Sequence, residues 1–306
     1  MANLLLIVFI NFVGIGALIP VLPFTVIGRL GHSEIVMTAL LASFAFAMFV
    51  ANPVLGRISD KLGRRPVLLL SLGVGTVAHL WFAVSNDIMQ MFAARTIAGL
   101  ATGNIGVIQS IIADRTSPQD RARTMGFLGA AIGAGFVTGP ALGGLLSGIG
   151  SGPVHQTPFL IAAAFSALSF ILAIRLKETS TLSRSVVTQG VFSEYVKTVL
   201  SGQIGWFAAS FFCLNLAFAQ VEVSYVLLVR DLLGFGARQT GWLFIYIGVL
   251  IIIVQGGLIS RAVLRFGEMK TIIAGVALLA SGQLLTVALA FGDALGLVIM
   301  VGPILL

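Results

Sequence analysis

The chain has 306 residues, of which 58% are hydrophobic and 9% charged, with 36 glycines and a formal net charge of +7, and its mean hydropathy is +1.07. A soluble domain carries roughly 25% charged residues, so lipid is the solvent for most of this chain. The longest polar stretch between apolar segments, 176–202, leaves no room for a soluble catalytic or nucleic-acid-binding domain.

A membrane helix needs about 20 mostly apolar residues to cross about 30 Å of hydrocarbon. Nine such segments follow in chain order, at 3–22, 33–54, 67–85, 88–113, 122–148, 157–175, 203–229, 238–262 and 270–291. A tenth begins near Ala294 and reaches Leu306, about 20 Å of helix and too short to cross. The sequence therefore reads as a fragment. The first segment lacks the basic start and small-residue cleavage site of a removable signal peptide, so it is expected to stay as a span.

Span one carries "GIGALIPVLPF" and a polar Asn11. Between spans two and three lies "GRISDKLGRRPVLLL", read as a tight turn that gathers Arg57, Asp60, Lys61, Arg64 and Arg65 between Gly56 and Gly63. A lone His79 in span three is read as a satisfied packing residue rather than a titrating one.

Span four holds Arg95 about 10 Å inside its end. A guanidinium there costs several kcal/mol without partners or water. Helical periodicity puts Arg95, Gly99, Thr102, Gly106 and Gln109 on one face, a polar stripe toward a cavity. Span five places Gly135, Gly139, Gly143 and Gly144 around Pro140, small residues that let backbones approach and a proline that bends the axis.

Span seven holds Glu222, whose carboxyl can exchange a proton, with Asn215 seven residues earlier on the same face. Gln255 lies in span eight. Asn11, Thr102, Gln109, Asn215 and Gln255 are candidate hydrogen-bonding groups for a substrate.

Fourteen of the eighteen basic residues fall in the even-numbered connections: Arg57, Lys61, Arg64, Arg65, Arg115, Arg121, Arg123, Arg175, Lys177, Arg184, Lys197, Arg261, Arg265 and Lys270. The positive-inside bias puts those connections and the N-terminus in the cytoplasm. Six spans precede the Ser/Thr-rich connection, which divides the chain into 1–176, a linker 177–202, and an incomplete second bundle 203–306. "GRISDKLGRR" from Gly56 recurs weakly as "GLISRAVLRFG" from Gly257, each after the second span of its half. Transporters are often built from such repeats.

Four stretches in order carry a family resemblance. The turn from Gly56 resembles the loop motif of the major facilitator superfamily, with Ile58 for Leu and Lys61 for Arg. "RTIAGLATG" from Arg95 is similar to its fourth-span motif, "GAGFVTGPALGG" from Gly133 to the fifth-span motif of its antiporters, and span one also fits. The resemblance is nearest to drug:proton antiporters, including tetracycline exporters.

It implies an all-α integral membrane fold of two six-helix bundles, here truncated after about nine and a half spans. It also implies alternating-access export of small lipophilic molecules against protons, by a monomer in the bacterial inner membrane. No enzyme activity, metal, cofactor or nucleic-acid partner is expected. The alternative is a facilitator or proton symporter for a sugar or organic-acid metabolite.

In residue terms, the resemblance implies a cytoplasmic gate of Gly56, Asp60, Gly63, Arg64, Arg65 and Asp114, with Asp60 latching a helix N-terminus of the other half. Arg95 and Glu222 would couple protons, and Gly135, Gly139, Pro140, Gly143 and Gly144 would form the antiporter hinge. Tetracycline exporters carry acids where this chain has Asn11 and Ala78, and a histidine where it has Ile251. Those departures argue against tetracycline as the substrate.

Overall fold

The computed structural model describes residues 1–147, 149, 155–179, 202–254 and 258–290. The helices are α1 (Ala2–Gly16), α2 (Glu34–Leu62), α3 (Arg64–Val84), α4 (Ile88–Thr102), α5 (Ile105–Arg115), α6 (Pro118–Leu146) and α7 (Gln156–Ile174). They continue with α8 (Gly202–Leu233), α9 (Ala237–Ile253), α10 (Ile259–Phe266) and α11 (Glu268–Ala290). Among the described residues, six helical stretches are long and apolar enough to cross a membrane: 34–62, 64–84, 88–115, 118–146, 156–174 and 268–285.

Several boundaries differ from the hydropathy reading for identifiable backbone reasons. Span one does not run unbroken to residue 22. Pro20 and Pro23 lack the amide that an α-helix needs, so α1 ends at Gly16 and the chain restarts as a π-helical turn, Phe24–Arg29. Most of the charged stretch from Gly56 is helix and not turn. α2 continues to Leu62, and the whole connection to α3 is Gly63 at φ 100°. Span four is two helices, broken at Gly103 and Asn104.

The restarts are capped by side chains. Asp87 accepts from the amides of Met89 (3.0 Å) and Gln90 (3.2 Å) to start α4. Ser117, followed by Pro118, accepts from the Asp120 amide to start α6. Asn52, from the middle of α2, accepts from the Gly106 amide at 2.9 Å and satisfies a donor that the break exposes. Asn104 donates to Ser71 Oγ on α3 at 2.6 Å.

α1 packs on α6 and α7, α2 on α4, α3 on α4 and α7, and α6 on α9. Two buried apolar clusters fill the bundle. One runs through Leu4, Phe12, Phe44, Leu72, Ala78, Ala98 and Ile112 toward the basic loops. The other runs through Leu18, Leu40, Phe82, Met91, Ala94 and Phe159 toward the far end. The switch from one to the other falls between Leu40 and Phe44 on α2, Ala78 and Phe82 on α3, and Ala94 and Ala98 on α4.

Candidate functional site

At the basic end, Arg64 is the centre of a charge network. Its guanidinium bonds Asp60, donates to Ser59 Oγ at 2.7 Å, and reaches Asp114 at 3.4 Å. Asp60 in this conformation is thus engaged by the arginine four residues on. The connection is closed from outside by Glu178, which the sequence reading did not single out. Its carboxylate accepts from the Arg64 amide at 3.0 Å and the Arg65 amide at 3.1 Å, capping the positive end of α3.

Arg65 donates to the Ile174 carbonyl at 2.7 Å, and Arg115 donates to the Lys177 carbonyl. The end of α7 is thereby tied to α3 and α5. Gly63 combines a positive φ with a Cβ position 2.7 Å from Glu178 Oε2, so only glycine fits there without strain. Gly56 has open space around it. Beside this network a cavity of about 460 Å³ is lined by residues including Met1, Asn3, Arg115, Arg175 and Lys177.

Arg95 and His79 sit at the boundary between the two apolar clusters. Arg95 is 4% exposed and His79 is 2% exposed. The Arg95 guanidinium carbon lies 4.4 Å from the centre of the Phe44 ring, a cation–π contact. Its Nε and Nη1, and both ring nitrogens of His79, have no hydrogen-bond partner among the described residues. His79 is buried as expected, but its ring is not satisfied among the described residues.

The polar stripe of span four is divided by the helix break. Gly99 and Gly103 are contact points for α2, where a Cβ would strike Phe44, Ala47 and Ala51. Thr102 returns its hydroxyl to the Ala98 carbonyl at 2.8 Å, and Gln109 is exposed on α5. Among the described residues Arg95 is therefore the buried polar group of the stripe that lacks a hydrogen-bond partner. Asn11 is buried on α1. The side chains of Asn215 and Glu222, on α8, lie outside the described residues, as does Gln255.

The glycines of α6 make two distinct seams. Gly135, Gly139 and Gly143, four apart, meet α1 at Phe12, Val13, Gly16 and Ala17, and the Pro140 ring lies against Gly16. Gly144 meets Gly241 on α9, where a Cβ would come within 2.5 Å of the Gly241 Cα, and Val137 fills the space beside Gly248. One face of α6 holds the first helix of the chain and another holds α9.

The far end is also tied. Arg230 of α8 reaches Glu34 of α2 at 3.6 Å. Arg29 donates to Asn86 at 2.6 Å and lies 3.5 Å from His155 Nδ1, while His155 Nε2 is 3.2 Å from the Ser85 carbonyl. Burial, then Arg29, push His155 down to about 4 from its ordinary 6.5, against the Ser85 bond. The neutral tautomer that donates from Nε2 and accepts at Nδ1 suits both neighbours.

The family model described as Major Facilitator Superfamily matches residues 4–306. The class C tetracycline resistance protein of Escherichia coli is 33% identical over 283 residues, covering 90% of this chain and 70% of the relative. The quinolone resistance protein NorA of Staphylococcus aureus is 32% identical over 170 residues, 55% of this chain and 42% of that one. Among solved structures, the D-xylose-proton symporter superposes with a TM-score of 0.72 at 17% identity, covering 99% of this chain and 78% of that chain. The human organic anion transporter MFSD10 does so with a TM-score of 0.66 at 23% identity, covering 99% and 83%. The helical bundle, its apolar spans and these matches together make the chain a multi-pass membrane protein of the Major Facilitator Superfamily.

Proposed function

We propose that this chain is the larger part of a proton-coupled exporter of small lipophilic molecules, in which residues 1–176 and 203–306 rock about the α6 seams and 177–202 links them. The observation that carries the reading is Arg95. A buried guanidinium with unpartnered nitrogens between two apolar cores is a charge held in place for a process and not for stability.

In the cycle, Arg95 disfavours a bound proton on a neighbouring acid, and Glu222 is the acid we assign to that role. Proton arrival and substrate departure then alternate. The basic end, with Asp60, Arg64, Asp114 and Glu178, is assigned to the cytoplasm on its lysine and arginine content. Gly143 and Gly144 seal the far half of the path by close backbone contact.

The relatives are named for tetracycline and quinolone resistance. Tetracycline itself is excluded from our reading, since Asn11, Ala78 and Ile251 stand where the exporters of that drug carry ionisable groups. Cells expressing the intact protein are expected to expel ethidium in a manner abolished by a protonophore. Retention of ethidium, together with gradient-independent uptake of a sugar or organic acid, favours a facilitator instead.

A further inference from the structure

We infer that Arg95 and His79 form an anion subsite, and that the carboxylate or similar oxyanion of an amphipathic substrate is the group that fills it. The inference rests on the transport reading above and specifies the chemistry of its cargo.

The two side chains come from adjacent packed helices, α4 and α3. Both are more than nine-tenths buried, at the level where one apolar cluster gives way to the other. Four nitrogens between them lack partners among the described residues. Buried polar atoms are almost always hydrogen-bonded, so a cluster of this kind requires its own explanation.

Among the residues through 179 no acid offers the guanidinium a counter-charge, and the side chain of Glu222, the acid assigned to proton coupling, lies outside the described residues. Through residue 179 the acids are Glu34, Asp60, Asp87, Asp114, Asp120 and Glu178. Glu34 faces Arg230, Asp60 and Asp114 face Arg64, Asp87 caps α4, Asp120 pairs with Ser117, and Glu178 caps α3. Every one lies at a helix end, and none is at the Arg95 level.

An oxyanion matches these donors chemically. Arg95 donates to it from the guanidinium, and His79 adds a ring N–H. The surroundings select the rest of the molecule. Phe44 covers the guanidinium, and the flanking clusters are apolar on both sides, with Leu40, Phe82 and Met91 toward the far end. A carboxylate on an aromatic or aliphatic body matches both parts.

The test uses the intact protein in detergent, with benzoate and its neutral isostere benzamide as probes and the ligand-dependent unfolding midpoint as readout. Benzoate is expected to stabilise the wild type at concentrations about tenfold or more below benzamide, the factor of a charge-assisted hydrogen bond. Arg95→Gln should abolish that preference, and Arg95→Lys should keep part of it. His79→Leu should weaken benzoate while raising the midpoint of the empty protein, because it removes two unsatisfied buried nitrogens.

Equal potency of benzoate and benzamide on the wild type overturns the inference. So does a preference that survives Arg95→Gln. A benzoate preference that emerges only in Glu222→Gln also overturns it, and identifies the Glu222 carboxylate as the occupant. The transport reading fails separately. A benzoate preference without substrate-driven proton movement leaves the subsite and removes the antiport. Proton movement with neutral drugs and no benzoate preference does the reverse.

Discussion

Gly63 and Glu178 show how single residues set the basic end. A side chain at φ 100° is strained, with a cost of about 1–3 kcal/mol, and a Cβ there also presses on the Glu178 carboxylate. Gly63→Ala should lower the unfolding temperature of the purified protein, whereas Gly56→Ala, in open space, should not. Glu178→Gln removes the negative charge from the first turn of α3 and should cost about 0.3–1 kcal/mol, read as a drop in the same midpoint. Full stability in Glu178→Gln would show that the cap does not depend on charge. At the far end His155 makes the stability depend on pH. Its folded value is about 4 against 6.5 when free. The contribution is therefore complete above about pH 6.5 and is lost as pH falls toward 4, where the folded protein must accept a proton beside Arg29. Unfolding midpoints measured at pH 7.5 and 4.5 should diverge in the wild type and converge in His155→Gln.

The seams of α6 belong to the scale of elements. Gly143 is pressed on the Ala17 carbonyl, while Gly133 has nothing within 4 Å of its Cβ position. Gly143→Ala should separate α1 from α6 and reduce transport severely. Gly133→Ala should be tolerated and add up to about 1 kcal/mol of helix stability, measured by thermal unfolding. The glycine spacing was legible in the sequence because a four-residue repeat marks one helix face. Which neighbour each face meets was not legible, since that depends on the order in which helices pack. Hydropathy averages over the backbone, so it passed over the stops at Pro20 and Gly103 and over the helical extension of α2 to Leu62. Glu178 was hidden for another reason. It lies in a polar linker more than a hundred residues from the amides it caps, and no local pattern connects them.

At the scale of the molecule, the far end is closed by contacts of unequal weight. The Arg230–Glu34 pair is exposed on the Glu34 side, and such pairs contribute about 0–1 kcal/mol. Gly144 against Gly241 is backbone on backbone and admits no side chain. Arg230→Ala should therefore shift the closed population by no more than a few-fold. Gly144→Leu should hold α6 and α9 apart, and distances between spin labels at the far ends of those helices separate the two outcomes. Composition sufficed to reveal the membrane class, and four motifs sufficed to reveal the family. The boundary between the two apolar clusters, where Arg95 and His79 lie, was not legible, because His79 lies in an apolar run sixteen residues before Arg95.

The central claim is that Arg95 serves the coupling of protons to substrate. It is tested most directly by proton movement in inverted membrane vesicles holding the intact protein, on addition of a lipophilic substrate. The account predicts proton release from the acidified lumen in the wild type and its loss in Arg95→Ala and Glu222→Gln, with all three proteins present at equal levels. Undiminished release in Arg95→Ala would contradict it.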